Sequence, residues 1–304
     1  MGGELLKGDH GVGGGDPLQG RQPSGDDSRQ VVVLADPDDG DEVPLAGDRV
    51  DLGHAFDVGQ LGAEVSEPLP GRSDKDHRGQ HASSLMAGMA RVRDDPRHPD
   101  PGFAELYRRL PDATDLEPWL GLARTAPPPV LYLGAGAGRL AVPLAAAGVE
   151  QVLVDAHPGM VAELRHRLPA AEVHQALIED LRLLRRFGLV IVPSNILSSQ
   201  ALVGAAASHL VPAGRLAFEL ANPHWLAAGA GPGFRILEMD RERARVEVDY
   251  SAETVQEAEI ELVWPEEIED FLANAGLRLE RMKGNPELGL EESPSYFVVA
   301  VQAG

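Results

Sequence analysis

The stretch "PVLYLGAGAGRLAVPLAAAG", residues 129–148, constrains the fold of this chain more than any other. An apolar run predicts a buried strand. Three glycines follow at alternate positions, Gly134, Gly136 and Gly138, and predict a turn whose backbone lies close to a partner. The next stretch reads as a helix closed by Gly148. The start of such a helix presents N–H donors to whatever sits above the loop. The rhythm then repeats: "EQVLVD" and "AEVHQAL" read as strands, with "PGMVAELRHRL" as a helix between them and Pro158 at its start. "FGLVIVPS" and "GRLAFEL" are two more strands, separated by the helix "QALVGAAASHL". Two short helices, "FAELYRRL" and "DLEPWLGLAR", come before the first strand. Strands alternating with helical patterns imply a parallel sheet covered on both faces.

The pattern changes at both ends of this core. Residues 233–263 alternate apolar and polar side chains and predict two or three antiparallel strands inserted after the fifth strand. "PEEIEDFLANAG" is a helix ended by Gly276, and "LRLERMKG" with "SYFVVAVQ" predicts a closing antiparallel pair. Residues 1–100 hold 17 of the 34 glycines and one aromatic residue, Phe56. Such a segment buries too little apolar surface to offset chain entropy. Residues 1–98 are therefore expected to be mostly disordered, with "QVVVLA" as a lone strand, and 99–304 to form the folded domain. Arg outnumbers Lys 24 to 3, a sign of GC-rich coding sequence, which makes Met86 or Met89 a candidate native start and 1–85 a translated upstream extension.

The spacing of the glycine loop excludes two ligand classes. A dinucleotide fingerprint needs Gly or Ala at the sixth position from Gly134, and Arg139 stands there. The P-loop pattern is absent. "VLYLGAGAGRLAVPLAAAG" followed by "QVLVDAHPGMVAEL" resembles motif I and the second-strand acid of class I S-adenosylmethionine-dependent methyltransferases. "HLVPAGRLAFELANP" and "WPEEIEDFLANAGLRLE" resemble that family's fifth strand and its last helix running into the sixth strand. The resemblance spans roughly Phe103 to Gln302. It implies a Rossmann-like, doubly wound, mostly parallel seven-stranded α/β sheet with an antiparallel last strand. It also implies S-adenosylmethionine as cofactor and methyl transfer to a small-molecule acceptor. The loop residues Gly134, Ala135, Gly136, Gly138 and Arg139 would lie along the cofactor. Asp155, 21 residues after Gly134, would accept from both ribose hydroxyls, although an Asp there also caps the next helix. Ala156 and Met160 would border the adenine, Met160 serving equally well as core, and Tyr107 would close over the cofactor.

Two positions depart from the family pattern. Ala176 and Leu177 stand where an acid commonly reads the adenine amino group, unless the register slips to Glu179 or Asp180. The backbone N–H groups of Leu177 or Ile178 are then the remaining donors. Gly188 replaces an Asp common at the entry to the fourth strand. Pro193, after strand four, is a further cofactor-binding candidate; on the acceptor side, Ser194 and Asn195 follow it, and Asn222, His224 and Trp225 follow strand five. Asn195 and His224 are the candidate catalytic residues, His224 as general base. Asn195 also suits a helix cap, Asn222-Pro223 a turn, and Trp225 and Tyr107 packing.

No metal constellation is expected, since the histidines of the second part are scattered. The formal net charge of -21 argues against nucleic acid as a partner. With no cysteine, no long apolar run and no secretory leader pattern, a cytoplasmic chain that does not span a membrane is expected. In the resembling small-molecule enzymes the inserted strands build a lid or a homodimer surface. The missing adenine acid keeps a second reading open: a non-catalytic methyltransferase-like domain that binds the cofactor or a protein partner. A nicotinamide-dependent oxidoreductase is disfavoured by Arg139 and by the antiparallel ending.

Overall fold

A computed structural model of the chain describes residues 90–251, 254–285 and 288–303. The glycine-loop unit forms as its sequence directs. Strand β2 (Val130–Leu133) is buried at every residue, as a central parallel strand must be. Helix α3 (Ala141–Ala146) follows and stops at Gly148, whose φ of 86° only glycine adopts without strain. Strand β3 (Gln151–Asp155) leads into α4 (Pro158–Arg167), and β4 (Glu172–Gln175) follows. Strand β5 (Phe187–Val192), helix α5 (Gln200–Ala207) and the long strand β6 (Leu210–Ala221) complete the alternation.

The first two helices are α1 (Pro101–Arg109) and α2 (Trp119–Thr125). Asp100 caps α1 by accepting from the Gly102 N–H at 2.8 Å. After β6 come α6 (Pro223–Ala227) and strands β7 (Phe234–Met239), β8 (Arg243–Ser251) and β9 (Thr254–Glu261). A 3₁₀ turn (Pro265–Glu267) runs into α7 (Ile268–Ala273). Strand β10 (Leu277–Lys283), the short α8 (Gly289–Glu292) and β11 (Ser295–Gln302) close the chain.

Seven strands pair in the order β10-β11-β6-β5-β2-β3-β4. Strand β11 is antiparallel to both its neighbours, and β6, β5, β2, β3 and β4 run parallel. This is the doubly wound, mostly parallel sheet that the residues and the resemblance implied. One face packs on α5 and α7 through Val203, Ala206, Ile268 and Leu272. The other packs on α2, α3 and α4 through Trp119, Ala141, Leu144 and Leu164. Gly188 shows why no side chain stands at its position: a Cβ there would lie 2.7 Å from Pro127 Cδ.

The insertion forms three antiparallel strands, β7 to β9, and a fourth joins them. Strand β1 (Ala90–Arg93) pairs parallel with β9, giving a second sheet in the order β1-β9-β8-β7. Residues 90–93 thus form a strand inside the segment expected to lack structure. Their reading had only composition to work with, because a four-residue strand whose partner lies far along the chain leaves no local periodic signal. The remainder of that segment up to residue 89, with the "QVVVLA" strand and the Met86 and Met89 starts, lies outside the described residues. The inner face of the second sheet contributes Val92, Val246, Val248 and Tyr250 to a third core, shared with Phe103 and Ala104 of α1 and Met160 of α4.

Candidate functional site

The site lies beyond the carboxyl ends of β2 and β3, where ligands bind in open α/β sheets. All three loop glycines hold positive φ: 69° at Gly134, 55° at Gly136 and 92° at Gly138. Their surroundings separate their roles. At Gly138 a Cβ would meet Leu164 at 3.1 Å and Val142 at 3.3 Å, so this glycine admits close helix packing. At Gly134 it would collide with Ile196 Cδ1 at 2.2 Å, which brings the segment after β5 against the loop. At Gly136 a Cβ would meet only Tyr107 Cδ1, at 4.0 Å. Gly136 thus faces open space with a tyrosine ring across it. Ala135 and Ala137 turn their methyls into the core.

Asp155 ends β3 at the rim of this space. Its Oδ2 accepts from the Gly136 N–H and its Oδ1 from the His157 N–H, both at 2.8 Å. Burial raises the Asp155 carboxyl above its ordinary value, against the lowering by these two bonds. A carboxylate offers about four acceptor positions. Two remain on Asp155 for a pair of hydroxyls. His157 caps α4: its Nδ1 accepts from the Gly159 N–H at 3.0 Å, while its Nε2–H donates to the Asp100 carbonyl at 2.9 Å. These partners fix one neutral tautomer and tie α1 to α4.

Tyr107 and Tyr250 meet above the loop, hydroxyl to hydroxyl at 3.3 Å, with ring centroids 6.1 Å apart. Burial raises both phenols. Arg139 holds the segment that joins α1 to α2. Its Nε donates to the Pro111 carbonyl at 2.6 Å, and its own carbonyl accepts from the Ala113 N–H. Burial lowers its guanidinium to about 10. Arg167 completes a clamp on the same segment, donating to both oxygens of Asp112 at 2.7 Å and to the Ala137 carbonyl at 3.1 Å. Met160 is 2% exposed and packs into the core beneath α1. Ala156 is half-buried just past Asp155.

The far rim follows β4. Ala176 donates its N–H to the Asp155 carbonyl at 3.1 Å. Ile178 packs its side chain into the main core. The N–H groups of Leu177 and Ile178 make no hydrogen bond among the described residues, which leaves both as donors at this edge. Glu179 pairs with Arg97 at 2.9 Å, and Asp180 is exposed.

The acceptor-side candidates are engaged by the protein itself. Asn195 Oδ1 accepts from the Ala221 N–H at 2.9 Å, joining the ends of β5 and β6, while Ser199 caps α5. Pro193 is buried, and Ser194 holds a φ of 95°, a conformation costing about 1–3 kcal/mol outside glycine. Asn222 is fully buried. It donates to the carbonyls of Leu290 (2.6 Å) and Ser293 (2.8 Å) and accepts from the His224 N–H (3.1 Å). His224 Nε2 contacts Glu266 at 3.0 Å, and its ring meets Trp264 edge-on. Trp225 packs edge-on against Phe234 at 5.1 Å.

Tyr250 was not legible beforehand as a partner of Tyr107, nor was Glu219 as a buried acid on β6. Tyr250 looked like one more alternating strand residue. Glu219 is 7% exposed on β6 and accepts from the Ser295 hydroxyl, and burial pushes its carboxyl up to about 7. An acid inside "LAFELA" was its only signal. Among the described residues there is no cluster of three or more His, Cys, Asp or Glu suited to a metal, and no helix long and apolar enough to cross a membrane.

Residues 130–214 match a family model described as a methyltransferase domain. Among solved structures, the chain is similar to the glycopeptide N-methyltransferase MtfA complexed with sinefungin. Identity is 22%, 75% of this chain and 99% of that one are covered, and the TM-score is 0.51. The CcbJ methyltransferase from Streptomyces caelestis matches at 22% identity, covering 69% and 93%, with a TM-score of 0.46. An S-adenosylmethionine-dependent methyltransferase from Clostridium acetobutylicum matches at 16%, covering 67% and 98%, with a TM-score of 0.49. No curated protein matches the chain. Residues 130–214 thus match a methyltransferase-domain model, and the fold around them is the Rossmann-like fold of the methyltransferase structures.

Proposed function

We propose that this domain binds S-adenosylmethionine and directs its methyl group to a small-molecule acceptor. The observation that carries this reading is the convergence of Gly136, Asp155 and Tyr107. Gly136 opens backbone to a ligand, Asp155 keeps two acceptor positions for the ribose hydroxyls, and the Tyr107 ring stands across the space. The N–H groups of Leu177 and Ile178, without a partner among the described residues, suit the adenine edge, in place of the carboxylate that the family commonly uses. Glycopeptide N-methyltransferase MtfA, with the same fold, holds sinefungin, an observation in the same direction.

The bound cofactor supplies an electrophilic methyl on a sulfonium, a good leaving group. The protein's part is then to hold the acceptor in line and keep water out, and good orientation contributes about 7–11 kcal/mol in favourable cases. Calorimetry with S-adenosylhomocysteine tests the reading. A dissociation constant in the micromolar range is expected, about -8 kcal/mol. Asp155→Ala should weaken binding about 10–100-fold through the lost hydroxyl contacts. Absence of both heat and thermal shift with the wild-type chain overturns the assignment.

A second reading draws on the acceptor side, where Asn195, Asn222 and His224 all have protein partners. It is a domain that binds the cofactor without turning it over. Cofactor binding with no methyl transfer across a broad panel of small-molecule acceptors would favour it.

A further inference from the structure

We propose that Tyr250 is a positioning residue for the cofactor: its hydroxyl, reaching in from the second sheet, holds the Tyr107 ring across the open space at Gly136. The proposal rests on the cofactor reading above and adds to that site a residue from outside the glycine-loop unit.

The distances place the two rings. Gly136 is the loop glycine with room above it, and Tyr107 Cδ1 stands 4.0 Å from where its Cβ would be. Phe103, one turn earlier on α1, backs the Tyr107 ring with centroids 4.5 Å apart. At the tip of that ring the hydroxyl meets the Tyr250 hydroxyl at 3.3 Å, with centroids 6.1 Å apart. Tyr107 is thus fixed at both ends. Its root is on α1, which the Asp100 cap and the His157 ring tie to α4. Its tip is on β8, which lies between β7 and β9 and is paired with both. Tyr250 is 1% exposed and shares the inner face of β8 with Ala244, Val246 and Val248, all buried.

The chemistry separates this contact from plain packing. The other three residues on that face are apolar. A phenylalanine would fill the place of Tyr250 and bring no polar group to satisfy, whereas a buried hydroxyl needs a partner. The Tyr107 hydroxyl supplies one, and the Arg139 guanidinium acts on the same phenol. Burial raises both phenols, so both hydroxyls keep their protons. Tyr107 is half-buried while Tyr250 is sealed. A ligand over Gly136 therefore meets Tyr107, and Tyr250 acts through it. An aromatic ring that is loose in the free protein loses rotamer freedom when a ligand packs against it, at a cost in affinity. The bond to Tyr250 orders the ring before the ligand arrives.

Calorimetry with S-adenosylhomocysteine on the full chain tests this, comparing wild type, Tyr250→Phe, Tyr107→Phe and the double variant. Tyr250→Phe should weaken binding about threefold to tenfold, the worth of one hydrogen bond. The double variant should bind no worse than the weaker single variant, because both changes remove the same bond. Val246→Ala thins the same face of β8 without touching either hydroxyl. It should lower the melting temperature more than Tyr250→Phe does, yet leave S-adenosylhomocysteine affinity within about twofold. Unchanged affinity in Tyr250→Phe overturns the proposal and leaves the cofactor reading intact. So do additive losses in the double variant, which would make the two tyrosines independent. A loss in Val246→Ala equal to that in Tyr250→Phe also overturns it, since the packing of the sheet and not the hydroxyl would then matter. Failure of the wild type to bind S-adenosylhomocysteine sinks the cofactor reading and this proposal together.

Discussion

The two halves of the site are built on opposite principles. Above β2 and β3 the protein leaves polar groups available among the described residues: open backbone at Gly136, two acceptor positions on Asp155, and N–H groups at Leu177 and Ile178 that have no partner there. Above β5 and β6 it engages them. Asn195 holds β6, Asn222 holds the turn before β11, and His224 pairs with Glu266. The difference teaches that residues beyond a strand end are not automatically ligand contacts. Polar side chains there are as often needed to satisfy the backbone groups that the strands leave behind.

Four perturbations probe this contrast, in order of expected size. Gly136→Val should abolish cofactor binding, a loss of about 100-fold or more, near 3 kcal/mol, read by calorimetry with S-adenosylhomocysteine. Its side chain enters the open space above the loop, and the positive φ costs about 1–3 kcal/mol of stability besides. Retained binding would mean the ligand lies elsewhere. Glu219 comes next. Its folded carboxyl sits at about 7 against an ordinary 4.5. Between these values the unfolded chain sheds the proton and the folded chain keeps it. Stability should therefore fall as pH rises through that window, by up to about 3 kcal/mol, and level off above it. Glu219→Gln should flatten this part of the denaturation profile. An unchanged profile would show that the carboxyl is not neutral in the folded chain. Third, Asn222→Ala should cost about 1–3 kcal/mol of stability by leaving buried carbonyls without donors, with cofactor affinity unaltered. A large affinity loss would blur the distinction between the two halves. Smallest is His224→Ala, expected to change stability by under about 1 kcal/mol because its partner Glu266 is half-exposed. If His224 were a general base, methyl transfer would fall about 100-fold or more, and the acceptor half would have to be redrawn.

Much of this was legible in the residues, and the exceptions share a cause. The parallel strands, the glycine loop and Asp155 announce themselves within some twenty residues of one another, because βα units are local structures with fixed periodicity. The antiparallel insertion was equally plain from "RARVEVDY" and "EAEIELVW". Partnership across long stretches of chain was not. Nothing in "ARVR" states that it pairs with β9, and nothing in Arg139 states that it will donate to the Pro111 carbonyl. Met160 shows the same limit from inside the core. A helix residue three positions past the cap faces either the site or the packing beneath it, and only the position of α1 decides.

The pairing of β1 with β9 carries a consequence for how the molecule comes into being. Arg93 and Glu257, which bridge the two strands, are 164 residues apart in the chain. Closing so long a loop is entropically costly and slow relative to neighbouring contacts. A chain emerging from the ribosome holds β1 first and must wait for nearly all the rest before that strand has anything to join. The main sheet can assemble on its own schedule, whereas the second sheet is finished last. Pulse-labelled hydrogen exchange during refolding should find the amides of residues 90–93 protected after those of β2, β3 and β5.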